Sequence, residues 1–130
     1  MNRKNILIVD DERDVLLVLE KGLTAEGYSV ITASNGNDAI SLAKSRRPDL
    51  IILDVLMPDM EGPEVKRKLK EDPETKDIPL IFLTGMFPKR EDDQEGRIVA
   101  GYVLFEKPYD ILELVFAIEQ LLREKVSSEL

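Results

Sequence analysis

The sequence contains no cysteine and no histidine among its 130 residues. Without cysteine there is no disulfide framework and no thiolate metal site, and without histidine a histidine-based triad and most zinc sites are excluded. The apolar runs are too short to span a membrane, and the run near the N-terminus ends in two acids, unlike a secretory signal. A glycine-rich phosphate loop is also missing. We therefore expect a soluble, cytoplasmic protein that binds neither nucleotides nor membranes.

Positive charge is scarce as well. There are 18 Lys and Arg residues against 26 Asp and Glu residues, which gives a formal net charge of −8. Contact with phosphate groups requires clustered Lys and Arg, so we expect no direct nucleic-acid binding by this domain. The acidic balance suits a protein that binds cations or docks on a protein partner. The alternative is that the acidity only keeps the chain in solution.

What the sequence does contain is an alternation of apolar runs and helical stripes. Five β-rich runs, several of them continuous, are typical of strands covered on both faces. They span residues 5–10, 28–34, 49–54, 79–85 and 102–108. The stripes between and after them, at helical spacing, pass through Val15, Leu16, Leu19 and Leu23, through Ala39, Ile40 and Ala43, through Val65 and Leu69, and through Leu114, Val115, Ile118 and Leu122. The pattern predicts an α/β fold, a doubly wound five-stranded parallel sheet with helices on both faces.

Two segments fit this alternation less well. Residues 87–100 hold a charged block and a glycine, and we expect only a short or mobile helix there. Residues 126–130 have the composition of a fraying tail. The length is that of one domain, so we expect a single domain over residues 1–125 and a C-terminal tail over residues 126–130.

Acidic and polar residues stand at the ends of the predicted strands. Asp10 and Asp11 end the first, Asp54 the third, Thr84 the fourth and Lys107 the fifth. In an open parallel sheet these ends share one edge, where ligands bind. Three neighbouring carboxylates repel one another, and a divalent cation relieves that repulsion. Oxygen ligands without His or Cys favour magnesium over zinc or copper.

The same edge could hold a phosphoryl group. Thr84 can donate a hydrogen bond to a phosphate oxygen, and Lys107 can neutralise its charge. Asp54 is then a candidate nucleophile of the aspartyl-phosphate type. Taken singly, each of these residues has a plainer explanation as a helix cap, a turn former, a strand-end residue or a solvated charge. Their joint placement at one edge favours the functional interpretation.

Four stretches, ILIVDDE, LIILDVLMPDMEG, IFLTG and EKPYD, in this order and spacing, resemble the receiver domain of two-component response regulators. The resemblance covers essentially the whole chain. It implies a flavodoxin-like, CheY-like sheet of strand order 2-1-3-4-5. It also implies that a sensor histidine kinase or a phosphotransfer domain supplies a phosphoryl group in a magnesium-dependent reaction. Phosphorylation would then bias a two-state equilibrium that alters binding to a downstream protein target.

The resemblance assigns metal and acceptor roles to matching residues. Asp54 corresponds to the phosphoacceptor and is also expected to be a magnesium ligand. Asp11 corresponds to a direct magnesium ligand, and Asp10 to one that usually acts through a water. The backbone carbonyl of Leu56 corresponds to the third protein ligand. The chain would act as a self-phosphorylating acceptor with autodephosphorylation, not as a conventional turnover enzyme.

Two further residues match the part of the family's site that responds to the phosphoryl group. Thr84 corresponds to the switch hydroxyl, and Lys107 to the lysine that pairs with the phosphoryl group. Leu104 departs from the pattern, because the family often has Tyr or Phe there, and Gly85 stands where Ala is common. We therefore expect an atypical output surface around residues 85–106.

The family's usual output and dimer face consists of the fourth helix, the fifth strand and the fifth helix. A homodimer of this chain through that face is therefore possible. Leu56 and Met86 match positions that influence the attacking water. Both are apolar and offer that water no hydrogen bond, so we expect slow hydrolysis of the phosphoryl-Asp54.

Our interpretation is a stand-alone receiver-type signalling protein, and three alternatives remain open. The chain could be the excised receiver of a larger regulator with a DNA-binding or enzymatic output domain. It could be a binding module that ignores phosphorylation. A phosphatase of the haloacid dehalogenase type also uses an aspartyl nucleophile and magnesium, but it normally needs a second aspartate two residues later, where this chain has Leu56.

Overall fold

A computed structural model of the chain describes residues 3–55, 57–84, 97–99, 102–106 and 110–129. Six strands and four helices lie within these ranges. The strands are β1 (Asn5–Val9), β2 (Ser29–Ala33), β3 (Leu50–Asp54), β4 (Leu80–Thr84), β5 (Arg97–Val99) and β6 (Tyr102–Glu106). The helices are α1 (Arg13–Ala25), α2 (Gly36–Arg46), α3 (Gly62–Glu71) and α4 (Ile111–Glu129).

The strands form one sheet in the order β2-β1-β3-β4-β6-β5. Neighbours from β2 to β6 pair in parallel. The predicted fifth strand is β6 and the predicted fifth helix is α4, so the predicted order 2-1-3-4-5 is confirmed for the five parallel strands. The fold class, a doubly wound flavodoxin-like sheet, is confirmed with it.

The prediction of only five strands is wrong, because β5 adds a sixth at the edge. This strand pairs antiparallel with β6, with Arg97 opposite Leu104 and Val99 opposite Tyr102. It occupies part of the segment 87–100, for which the sequence analysis predicts a helix. Ile98 and Val99 are β-branched and favour a strand, and the two residues between Val99 and Tyr102 match the length of a tight hairpin connection. The rest of that predicted helix, residues 87–96, lies outside the described residues.

Alternate residues of the strands face two separate hydrophobic clusters, because successive side chains of a strand point to opposite faces. Leu7 and Val9 of β1 join one cluster, while Ile6 and Ile8 join the other. In β3, Ile51 and Leu53 join the first cluster, and Leu50 and Ile52 join the second. Burial on both faces explains why these strands read as continuous apolar runs.

Helices cover both faces of the sheet. Ala39 and Ala43 of α2, with Val65 and Leu69 of α3, pack into the first cluster. Into the second cluster pack Leu19 and Leu23 of α1, with Leu114, Val115 and Ile118 of α4. These residues belong to the predicted helical stripes, so the sequence periodicity located the buried face of each of the four helices.

The last helix extends beyond the predicted domain boundary. The backbone of α4 is helical through Glu129, into the segment 126–130 that the sequence analysis assigns to a tail. The boundary at residue 125 therefore stays a prediction. Within the described ranges, no helix combines the length and the apolar character that a membrane crossing needs.

Candidate functional site

Three carboxylates meet at the C-terminal edge of the sheet. β1 and β3 are neighbours, and Val9 pairs with Leu53. An aspartate directly follows each of these two residues: Asp10 follows Val9, and Asp54 follows Leu53. One carboxylate oxygen each of Asp10, Asp11 and Asp54 lies within 4.8 Å of the other two. The predicted convergence of these three acids is present.

The three acids differ in exposure. Asp10 is fully buried, Asp54 is 6 % exposed, and Asp11 is exposed. The backbone N–H of Glu12 donates to Asp10 Oδ1 at 2.9 Å, and the N–H of Asp10 donates to the carbonyl of Ala33 at 3.1 Å. The turn into α1 thus fixes one buried carboxylate beside a second one.

Thr84 lies at the same edge of the sheet. It is the last residue of β4 and pairs with Glu106 of β6, so Lys107 directly follows that pair in the sequence. Asp54 pairs with Leu83, one residue before Thr84. The backbone therefore places Thr84 beside the strand that carries Asp54. Leu56 and Lys107 lie outside the described residues, and their predicted roles stay predictions.

The chain after Asp54 returns closely upon itself. The N–H of Val55 donates to the carbonyl of Leu83 at 3.1 Å, and the N–H of Gly62 donates to the carbonyl of Val55 at 2.7 Å. A Cβ atom at Gly62 would lie 2.6 Å from the carbonyl oxygen of Asp54. Only glycine permits this approach of the first turn of α3 to the end of β3. The sequence analysis predicts a turn here but not the contact.

The tip of this returning loop caps the neighbouring helix. Asp59 accepts from the N–H of Gly36 at 3.0 Å and from the N–H of Asn37 at 3.2 Å, both in the first turn of α2. These bonds to backbone N–H groups, that from Gly36 above all, hold the pKa of the Asp59 carboxyl below its ordinary value. The sequence analysis missed Asp59, since proline, aspartate and glycine in a turn signal only the turn itself.

A family model described as the response regulator receiver domain matches residues 6–119. The chain belongs to this family. Response regulator PleD of Caulobacter vibrioides is 40% identical over 121 residues, which are 93% of this chain and 26% of that protein. The phosphate regulon transcriptional regulatory protein PhoB of Pseudomonas aeruginosa is 38% identical over 122 residues, 92% of this chain and 52% of that protein.

Solved structures lead to the same family. The crystal structure of a CheY-like response regulator receiver domain protein from Methanospirillum hungatei superposes with a TM-score of 0.82 at 26% identity. The match covers 98% of this chain and 99% of that one. A receiver domain of the hybrid histidine kinase CckA superposes with a TM-score of 0.74 at 31% identity, covering 91% of this chain and 98% of that one.

The receiver accounts for only part of the curated relatives. The chain spans about a quarter of PleD and about half of PhoB. Receiver domains interact with histidine kinases and with output domains. This chain is therefore a receiver domain of two-component signalling.

Proposed function

We propose that this receiver accepts a phosphoryl group on Asp54 from a sensor histidine kinase or a phosphotransfer domain, in a reaction that requires Mg²⁺. The observation that carries the proposal is the convergence of Asp10, Asp11 and Asp54 within 4.8 Å at the edge of the sheet. The donor set consists of hard oxygen atoms, and its charge favours a divalent cation. It therefore fits magnesium.

The acceptor chemistry follows from the position of Asp54. Its carboxylate, at the end of a rigid buried strand, forms a new O–P bond while the P–N bond to the donor histidine breaks and the electron pair of that bond stays on the imidazole. Mg²⁺, when bound, offsets the charge of the three carboxylates and of the phosphoryl oxygens. Asp10, Asp11, Asp54 and the backbone carbonyl of Leu56 would hold it. Lys107 would neutralise the remaining phosphoryl charge, and Thr84 would donate a hydrogen bond to it.

The consequence of phosphorylation would be a shift between two conformations that changes partner binding. The output would be a protein target, reached through the surface formed by the segment 87–100, β6 and α4, through which the chain could also pair with a second copy. The formal net charge of −8 supports a protein target and argues against direct binding of nucleic acid or membranes by this domain. We place this activity in the cytoplasm.

The test is the intact mass of the protein after incubation with acetyl phosphate and Mg²⁺. We expect one phosphoryl adduct on the wild type. The adduct should be absent from Asp54→Asn, because the amide is no nucleophile, and from a sample with EDTA. An adduct that persists in Asp54→Asn would contradict the assignment of the acceptor.

The rate at which the adduct decays tests whether the phosphoryl group on Asp54 is long-lived. Leu56 and Met86 match family positions that influence the attacking water, and both are apolar. Hydrolysis should therefore be slow, and Leu56→Asn or Met86→Glu should accelerate it. Unchanged decay in both variants would refute this. If acetyl phosphate gives no adduct, beryllofluoride binding separates a receiver that needs its own kinase from a binding module that ignores phosphorylation.

A further inference from the structure

The loop that follows the acceptor strand is tied to α2 by a carboxylate. Asp59 Oδ1 accepts from the N–H of Gly36, and Asp59 Oδ2 accepts from the N–H of Asn37. These N–H groups lie in the first turn of a helix, where no carbonyl of the helix itself can serve them. One side chain from the loop thus satisfies two donors of another element.

A second contact joins the loop to the same place. A Cβ atom at Gly36 would lie 2.8 Å from Cβ of Met60 and 3.0 Å from a methyl group of Val65. Met60 is 8% exposed and belongs to the hydrophobic cluster under α2 and α3. The residue next to Asp59 is therefore packed against the first residue of α2. Polar and apolar contacts together hold residues 59 and 60 on the start of that helix.

The other end of the loop lies against the acceptor. Gly62 donates its N–H to the carbonyl of Val55, and its Cα approaches the carbonyl of Asp54 too closely for any side chain. A displacement of residues 59–61 would therefore act on Gly62, which contacts the backbone of Asp54 and Val55. This connects the start of α2, through a loop anchored at both ends, to the residue that carries the candidate acceptor carboxylate.

We propose that Asp59 is a positioning residue for the phosphoacceptor site, which it serves by fixing the loop after β3 on the start of α2. The inference rests on the proposed function of Asp54 and extends it to a residue that touches neither metal nor phosphoryl group. Losing Asp59 leaves Asp54 in place in the sequence but frees the loop that sets its backbone.

A plain structural role would be capping alone, and α2 itself supplies the control. Asn35 is the N-cap residue of α2, and its side chain accepts from the N–H of Asp38 at 2.8 Å. Asn35→Ala thus removes a cap from the same helix end without removing an anchor of the loop. If capping were the whole role of Asp59, the two losses would act alike on the site.

Loss of negative charge near the site needs a control of its own. Glu61 lies two residues further along the same loop and makes no capping hydrogen bond with its side chain to the described start of α3. Glu61→Gln removes one charge from the loop and no anchor. Asp59→Asn removes the charge of Asp59 but keeps one oxygen that can accept from Gly36 N–H. Asp59→Ala removes the charge and both oxygen acceptors.

The experiment measures two quantities for the wild type and for these four variants. Calorimetric titration gives the dissociation constant for Mg²⁺, and intact mass against time gives the rate of phosphorylation by acetyl phosphate at saturating Mg²⁺. Thermal unfolding of each variant, followed by circular dichroism, shows that it is folded at the temperature used.

We expect Asp59→Ala to weaken Mg²⁺ binding about tenfold, the low end of the loss that follows removal of groups that orient metal ligands. Phosphorylation at saturating Mg²⁺ should also slow by about tenfold, because small displacements of a reacting group are costly. Asp59→Asn should lie between Asp59→Ala and the wild type. Asn35→Ala and Glu61→Gln should each stay within about twofold of the wild type, since neither loses a ligand-orienting contact.

Three results would count against the inference. Equal effects of Asp59→Ala and Asn35→Ala would reduce Asp59 to a cap. If Asp59→Asn, Asp59→Ala and Glu61→Gln all have equal effects, Asp59 acts on the site only through its negative charge. If Asp59→Ala fails to fold, the comparison of Asp59→Asn with Glu61→Gln decides in the same way. A wild type that neither binds Mg²⁺ nor forms the adduct would instead refute the proposed function, and the inference with it.

Discussion

Gly62 shows how one residue decides the shape of the acceptor site. Its Cα lies where a Cβ would meet the carbonyl of Asp54 at 2.6 Å and the Cα of Val55 at 3.0 Å. Both obstacles are backbone atoms, which cannot rotate away as a side chain can. The sequence indicated that a turn follows Asp54, because Pro58 and Gly62 bound it. The contact itself depends on how the loop closes, which no local pattern encodes.

We predict that Gly62→Ala displaces the end of β3. The free energy of unfolding should fall by about 1–3 kcal/mol, as for other overpacked sites, and phosphorylation of Asp54 should slow. Chemical denaturation and the adduct assay measure the two effects. Gly22→Ala in α1 is the control, because there the nearest obstacle is the side chain of Ile111 at 3.0 Å. Equal losses in both variants would show that the crowding against Asp54 has no special effect.

At the scale of elements, periodicity predicted helices and strands well but not the connection between α3 and β4. Residues 72–79 of this connection are mostly polar, yet Thr75 is only 1% exposed. Its Oγ1 donates to the carbonyl of Leu69 at 2.6 Å, a group in the last turn of α3. The last carbonyls of a helix lack partners within it. This bond therefore serves one of them, and a sequence pattern alone does not reveal that.

Removing this hydroxyl should cost stability without changing shape. Thr75→Val keeps the volume and leaves the carbonyl of Leu69 with only the longer bond from the N–H of Asp72, at 3.3 Å. The free energy of unfolding should therefore fall by about 0.5–1.5 kcal/mol, the net contribution of one hydrogen bond. Thr32→Val, at an exposed position of β2, should stay within about 0.5 kcal/mol of the wild type. Urea denaturation followed by circular dichroism measures both. A Thr75→Val variant as stable as its control would show that this buried bond contributes nothing.

Over the whole molecule, the sequence predicted the parallel sheet, its helices and the meeting of three acids. Continuous apolar runs follow from burial on both faces of the sheet, and a parallel sheet brings the residues at its strand ends to one edge. The sequence did not predict β5, because its three residues follow a charged block and form too short an apolar run to indicate a strand. Among the described residues, β5 pairs only with β6. The sequence also gave no sign of Asp59 and Asp72, two of the carboxylates that accept hydrogen bonds from backbone N–H groups.

These two carboxylates make the stability of the molecule depend on pH. The pKa of Asp59 is lowered chiefly by the N–H of Gly36, and that of Asp72 chiefly by the N–H of Glu74, with a further contribution from Lys44. Each pKa is lower in the folded than in the unfolded chain, so the unfolded chain binds more protons at acid pH. The stabilisation is present above about pH 4, the pKa of an aspartate carboxyl in the unfolded chain. It is lost as the pH falls through the lower pKa values of the two carboxyls in the folded chain.

The double variant Asp59→Asn, Asp72→Asn should therefore lose less stability than the wild type between about pH 6 and pH 3. Urea midpoints across this range measure the difference. Glu61→Gln, which gives up an acid without a capping hydrogen bond to the described start of α3, should follow the wild-type curve more closely. Parallel curves for the wild type and the double variant would contradict the assignment.

The order of strands bears on how the sheet is built during synthesis. In chain order, β1 can pair with β2 first, and β3 can then join beside β1, β4 beside β3 and β6 beside β4. Each parallel strand thus leaves the ribosome to meet the open edge of the strands already made, and none has to insert between two that are paired. Growth from the N-terminus suits this arrangement. A nascent chain halted after β3 or β4 would present an open strand edge, a template for aggregation until the next parallel strand covers it.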